Sequence, residues 1–159
     1  MSEATELRVW RTGEEDLDAV ASLIAGFRDH WGRSEPSLAE IRARVERIHA
    51  GGDGEYLLGA AGDGEPAGVC QIRFRWSVWA SAEDCWLEDL FVREAARRGG
   101  LGRALVGAAI ERATERGCRR IELDVGERNE PAIALYRSCG FQLEPKPPGR
   151  SLFLGRRLD

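Results

Sequence analysis

The sequence predicts a single mixed α/β domain over residues 1–159, with helices packed on one sheet. Three observations carry that prediction. Two stretches of helical periodicity follow a first strand pattern. Three strand patterns then succeed one another across short turn-rich links, and beyond Val92 the order changes to loop, helix, strand, helix and strand. No internal repeat, low-complexity segment or linker interrupts the 159 residues, a length suited to one core.

In chain order, Glu6 to Arg11 alternates Leu7 and Val9 with polar neighbours and reads as a strand. Thr12 and Glu15 have capping-box spacing, which opens a helix by satisfying its free N–H groups. Leu17, Val20, Ala21, Ile24, Phe27 and Trp31 then repeat along one helical face. Ser37 and Glu40 repeat the box. Leu38, Ile41, Val45 and Ile48 continue a second helix, ended by Gly51 to Gly54.

Glu55 to Ala61 and Ala67 to Trp79 are strand patterns joined by Gly62-Asp63-Gly64-Glu65-Pro66, a hairpin composition. Ala80 to Asp84 links them to Cys85 to Val92, which makes an antiparallel meander. Leu101 to Arg116 reads as a helix with Leu101, Leu105, Ala109 and Ala113 on one face, stopped by Gly117. Cys118 to Val125 is the next strand, with Ile121 and Leu123 inward. Pro131 to Ser138 is a short helix stopped by Gly140, and Ser151 to Leu154 is the closing strand. Glu144 to Arg150, carrying Pro145, Pro147 and Pro148, reads as an irregular loop before it.

Composition narrows the function. The net charge of −4 argues against nucleic acid as the main partner and suits a cationic substrate. No apolar run approaches the ~18 residues needed to cross a bilayer. The opening MSEATELRVW lacks the basic start and apolar centre of a secretory signal, so a cytoplasmic protein is expected. Cys70, Cys85, Cys118 and Cys139 lie far apart, without metal-ligand spacing, and read as small core residues. The two histidines, His30 and His49, fall on helices, so neither a histidine triad nor a metal site is expected.

Chemistry concentrates in two stretches. In the first, the strand ending Leu90-Phe91-Val92 feeds a basic glycine-rich loop, Arg97-Arg98-Gly99-Gly100, and then a helix beginning Leu101-Gly102-Arg103. The first N–H groups of a helix lack internal partners and sit at the positive end of its dipole. Glycines let the backbone approach a phosphate, and Arg97, Arg98 and Arg103 add full charges, so a pyrophosphate is the natural guest. On these residues alone a plain flexible connection remains an alternative. The run is neither a P-loop nor the G-x-G-x-x-G dinucleotide fingerprint.

Arg97-Arg98-Gly99-Gly100-Leu101-Gly102 resembles the Arg/Gln-x-x-Gly-x-Gly/Ala signature of the GCN5-related N-acetyltransferases. Asn129-Glu130-Pro131-Ala132-Ile133-Ala134-Leu135-Tyr136, followed by Gly140-Phe141, is similar to that family's second signature. From the residues alone, Asn129 caps a short helix, Pro131 suits its first turn, and Tyr136 is equally a core aromatic. The resemblance covers nearly the whole chain. It implies a mixed sheet of about six to seven strands, with splayed parallel strands 4 and 5 opened by a bulge.

The resemblance also implies acetyl-coenzyme A as co-substrate, without a metal. Arg97 to Arg103 would hold its pyrophosphate, Leu90, Phe91 and Val92 would pair with its pantetheine arm, and Asn129, Ala132 and Tyr136 would complete the site. A backbone N–H of Phe91 or Val92 would stabilise the developing oxyanion, and Tyr136 would protonate the leaving thiolate. Arg98 departs from the family, where glycine is common, which makes the loop tighter or more cationic.

Trp86-Leu87-Glu88-Asp89-Leu90 resembles the Leu-Glu-Asp segment of spermidine/spermine and thialysine acetyltransferases, which implies Glu88 as proton acceptor. Desolvation among Trp76, Trp79 and Trp86 is expected to raise its pKa, the alternative being a solvated strand-end charge. Glu83, Asp84, Glu88 and Asp89 among these tryptophans favour a small cationic amine as acceptor. A protein or peptide N-acetyltransferase and a catalytically silent coenzyme A-sensing domain are the alternatives. The resemblance implies that the first two helices shape the acceptor site, and here they carry Arg28, Asp29, His30, Trp31 and Arg33, a mixed set that names no ligand. A homodimer is a further implication of the resemblance, with strands such as Ala67 to Trp79 available for pairing.

Overall fold

The computed structural model describes residues 5–143 and 152–158. In chain order it contains β1 (Leu7–Arg11), α1 (Leu17–His30), α2 (Leu38–Gly51), β2 (Gly54–Ala61), β3 (Gly68–Ser77) and β4 (Ala82–Val92). α3 (Leu101–Glu115), β5 (Ile121–Glu122) and α4 (Glu130–Ser138) follow. One sheet has the order β1-β2-β3-β4-β5, antiparallel through β4, with β5 parallel to β4.

Alternation along the strands builds two cores, one on each face. Val20, Ala21, Leu23, Ile41 and Val45 of α1 and α2 bury Tyr56, Leu58, Val69 and Phe91 on one face. Leu101, Leu105, Val106 and Ala109 of α3 bury Leu57, Cys70, Ile72, Cys85 and Leu87 on the other, with α4 at its margin. Gly59 and Gly68 oppose each other in the β2–β3 ladder beneath α3. A Cβ at Gly59 would stand 2.7 Å from Leu101 Cδ1, and one at Gly68 2.8 Å from Leu105 Cδ1. The start of α3 therefore rests directly on backbone.

Several local expectations hold, and others give way to tertiary contacts. Ser37 and Glu40 form their box: the Ser37 N–H donates to Glu40 Oε2 at 2.8 Å and the Glu40 N–H to Ser37 Oγ at 3.3 Å. Thr12 and Glu15 do not. The Thr12 hydroxyl is buried and donates to the Tyr56 carbonyl at 3.1 Å. Asp16 serves instead, accepting from the Gly13 N–H at 3.0 Å and the Trp10 indole at 3.3 Å.

Among the described residues the sheet has five strands rather than six to seven. Ser151 and the Glu144 to Arg150 loop lie outside those residues. Leu152, Phe153 and Leu154 form no strand and are 69%, 89% and 85% exposed. The pattern from Cys118 to Val125 yields only two paired residues, because β5 meets β4 at Cys85↔Ile121 and Trp86↔Glu122 and no further. Cys70 and Cys85 are buried as expected of core residues, whereas Cys118 and Cys139 are half-buried. Among the described residues no helix is long and apolar enough to cross a membrane, and no three metal-ligating side chains cluster.

Candidate active site

The site is an opening made by one strand losing its neighbour. Beyond Trp86, β4 runs on to Val92 with no strand partner on the β5 side among the described residues. A bulge lies within this stretch: Gln71 opposes Asp89 and Ile72 opposes Leu87, so Glu88 is the extra residue. The bulge falls two residues before the Leu90 to Val92 segment rather than within it. Because the Arg93 N–H donates to the Ala67 carbonyl at 2.8 Å, alternation turns the N–H and C=O of Val92 toward the opening. Of the two expected oxyanion donors, Val92 is the one so directed. Its carbonyl accepts from Arg97 Nε at 2.9 Å, and the Arg97 guanidinium lies 5.9 Å from the Phe91 ring centre.

One end of the opening is built for an anion. Arg98 and Gly100 both adopt left-handed backbone, φ 71° and 85°. Such turns gather successive N–H groups into a concave cradle. Gly100 is the N-cap of α3 and offers no side-chain acceptor, so the first N–H groups of the helix are not capped by it. Gly102 faces Val92 and Leu135, where a Cβ would come within 3.4 Å of Leu135. Arg97, Arg98 and Arg103 are exposed around the turn, and Arg103 donates to the Ser138 carbonyl at 3.3 Å, tying α3 to α4. Donors, a positive dipole end and guanidinium groups fit the pyrophosphate of coenzyme A.

The other end carries Tyr136. The Asn129 side chain caps α4 by accepting from the Ala132 N–H at 3.4 Å, and Pro131 sits in its first turn. Tyr136 packs beside Phe141 in the core beneath α3, ring centres 5.8 Å apart. Burial pushes its phenol up to about 12, aided by Cys70, Asp124, Asp89 and Cys139. At neutral pH the phenol therefore keeps its proton. On the opposite sheet face Phe27 stacks on Phe91 at 5.4 Å, and Phe27 contacts the 62% exposed Trp31 at 6.1 Å.

Residues 18–141 match the family described as the acetyltransferase (GNAT) family. The chain belongs to the GNAT acetyltransferases. It is 29% identical over 130 residues to an aminoglycoside N(6')-acetyltransferase of Stenotrophomonas maltophilia, covering 80% of each chain. It is 30% identical over 141 residues to a thialysine N-epsilon-acetyltransferase of Bos taurus, covering 81% of this chain and 80% of that one. A structure from Arthrobacter sp. FB24 described as an acetyltransferase superposes with a TM-score of 0.83 at 31% identity, covering 99% of both chains. These matches establish an acetyltransferase with the GNAT fold.

Within this acetyltransferase the four acidic residues expected to act together divide into two pairs. Glu83 receives a double hydrogen bond from Arg116, at 2.6 and 3.1 Å, and Asp84 pairs with Arg120 at 3.1 Å. Glu88 and Asp89 form no ion pair among the described residues. Trp76 and Trp79 are 72% and 96% exposed at the β3–β4 turn, so they do not desolvate Glu88, which is itself exposed. Asp89 is the carboxylate whose burial raises its pKa, with the charges of Glu88 and Asp124 adding to the effect. The sequence held a signal for this difference: apolar residues at Cys85 and Leu87 resume at Leu90 and Val92, out of phase by one.

Proposed function

We propose that the protein is an acetyl-coenzyme A-dependent N-acetyltransferase acting on the primary amine of a small cationic molecule. The observation that carries this reading is the free edge of β4, which runs from an anion cradle at α3 to a protonated tyrosine at α4. The relatives named for aminoglycoside and thialysine acetylation support an amine acceptor.

Arg97 to Arg103 hold the pyrophosphate, and the edge Leu90 to Val92 receives the pantetheine arm as an added strand. Bound there, acetyl-coenzyme A supplies the thioester that carries the acetyl group. The Val92 N–H stabilises charge developing on the carbonyl oxygen. Tyr136 gives a proton to the departing sulfur. Glu88 and Asp89, without cationic partners among the described residues, draw an ammonium group to the same opening, and the aromatic group of Phe27, Trp31 and Phe91 borders it.

The reading is tested by thiol release from acetyl-coenzyme A against polyamines, diamines, amino acids, aminoglycosides and N-terminal peptides. Turnover with a small cationic amine is expected. Turnover confined to peptides would replace the small acceptor with a protein one. Cofactor binding by calorimetry without any turnover would favour a silent sensing domain.

A further inference from the structure

The wall of the acceptor opening presents two consecutive carboxylates, which regular strand alternation would send to opposite faces. The bulge removes that alternation. Leu87 and Leu90, three residues apart, both pack in the core beneath α3. Phe91 packs in the core beneath α1 and α2. Glu88 and Asp89, lying between, are thus brought to the α1–α2 face together.

Their surroundings differ. Asp89 continues a row across the ladder from buried Tyr56 on β2 through buried Gln71 on β3. It is half-buried, whereas Glu88 is exposed. Asp124 follows β5 on the other lip of the gap. The titratable groups that interact with Asp89 are Tyr56 on β2, Cys70 on β3, Glu88 on β4, Asp124 after β5 and Tyr136 on α4, while Arg73 of β3 acts on Tyr56. His30 of α1 adjoins Phe91, two residues further along β4, with ring centres 6.5 Å apart.

We propose that Asp89, rather than Glu88, is the catalytic residue that takes the proton from the reacting ammonium group, with Glu88 acting as a neighbouring charge. The assignment rests on the amine-acetyltransferase reading. A proton acceptor here needs a place in the gap, no competing cation and an affinity lifted toward neutrality. Asp89 lies on β4 beyond the last residue paired with β5, and no cation pairs with it among the described residues. Burial, then the charges of Glu88 and Asp124, supply the third.

The protons balance. The nitrogen loses one proton to Asp89, and its freed pair forms the carbon–nitrogen bond as the carbon–sulfur bond breaks. Tyr136 gives its proton to sulfur and is replenished by the second proton leaving nitrogen. Asp89 releases its own to water, so one proton appears in solution per acetyl group moved.

The test compares Asp89→Asn with Glu88→Gln, each first shown by calorimetry to bind acetyl-coenzyme A like the wild type. Asp89→Asn is expected to lower kcat by roughly 10²–10⁴-fold. Glu88→Gln is expected to stay within about tenfold and to move the acidic limb of the kcat/KM profile to lower pH, because a repelling charge is gone. Equal losses, or a greater loss in Glu88→Gln, would overturn the assignment.

A second readout needs no turnover. The Asp89 carboxyl carbon, followed by NMR against pH, is expected to titrate above the ordinary aspartate value of about 3.9 and to fall in Glu88→Gln. Titration at or below that value overturns the proposal. A wild type that binds cofactor yet acetylates no amine would overturn the functional reading and the assignment together, whereas an active Asp89→Asn enzyme overturns the assignment alone.

Discussion

The two halves of β4 use the same kinds of residue for opposite ends. Before the bulge, Cys85 and Trp86 pair with β5, and Glu83 and Asp84 are matched by Arg116 and Arg120. Arg116 also lies 3.9 Å over the Phe74 ring and reaches Glu55, which Arg112 grips with two bonds of 2.7 Å. After the bulge the edge has no strand partner, and Glu88 and Asp89 have no counter-ion among the described residues. The half of the strand that pairs its carboxylates with arginines is built into the sheet, and the half that leaves them unpaired borders the opening. Sequence shows two acidic pairs five residues apart. Only the fold separates them.

The largest effect expected lies in the open half. Tyr136→Phe keeps the ring packed against Phe141 but removes the proton donor, so turnover should fall roughly 10²–10⁴-fold while acetyl-coenzyme A affinity by calorimetry is unchanged. Unchanged turnover would strip the open half of its acid.

The closed half should respond in stability instead. Arg116→Ala leaves Glu83 and Glu55 short of a partner, at about 2–3 kcal/mol for charged hydrogen bonds. A thermal melt should then fall by about 4–10 °C, with turnover little altered. A variant with a normal melt and poor turnover would erase the distinction between the halves.

The smallest effect contrasts the two by pH. Burial pushes the Glu55 carboxyl up, but Arg112, Arg11 and Arg116 outweigh it and hold it below its ordinary value. Its contribution to stability is full above the unfolded value, about 4.3, and is lost as pH falls through the lowered folded value. Asp89 has the opposite sign: its raised value favours the fold at low pH, and that benefit disappears as pH rises through it. Asp89→Asn should therefore melt slightly above wild type at neutral pH, by less than Arg116→Ala loses. The gain should vanish near pH 4. A lower melt at neutral pH would show that Asp89 is scaffold after all.

Local signals in the sequence survived where their partners were local. Ser37 and Glu40 are three residues apart and form the expected box. Asn129 caps α4 from the residue before it, and Gly117 takes φ 80° just past α3. The glycine-rich turn before α3 was equally legible as a turn, since its glycines, arginines and helix start are contiguous. Expectations failed where a distant group intervened. Thr12 turns to Tyr56, 44 residues away, and Arg116 claims Glu83 across 33. Exposure was the other missing quantity. Three tryptophans close in sequence suggested a dry pocket, but Trp76 and Trp79 project from the end of the β3–β4 hairpin.

The glycine pair beneath α3 has a consequence for how such a protein changes over generations. A helix set against bare backbone at Gly59 and Gly68 tolerates almost no drift in its own footing. The outer end of α1 carries no such clamp, since a Cβ at Gly32 would meet nothing within 4 Å and Trp31 is largely exposed. Inheritance is thereby strict at the footing of α3 and permissive at that end of α1. On the proposed reading, a directed-evolution library randomised over residues 28–33, with Gly59 and Gly68 left intact, is expected to change acceptor preference while acetyl-coenzyme A affinity by calorimetry stays the same.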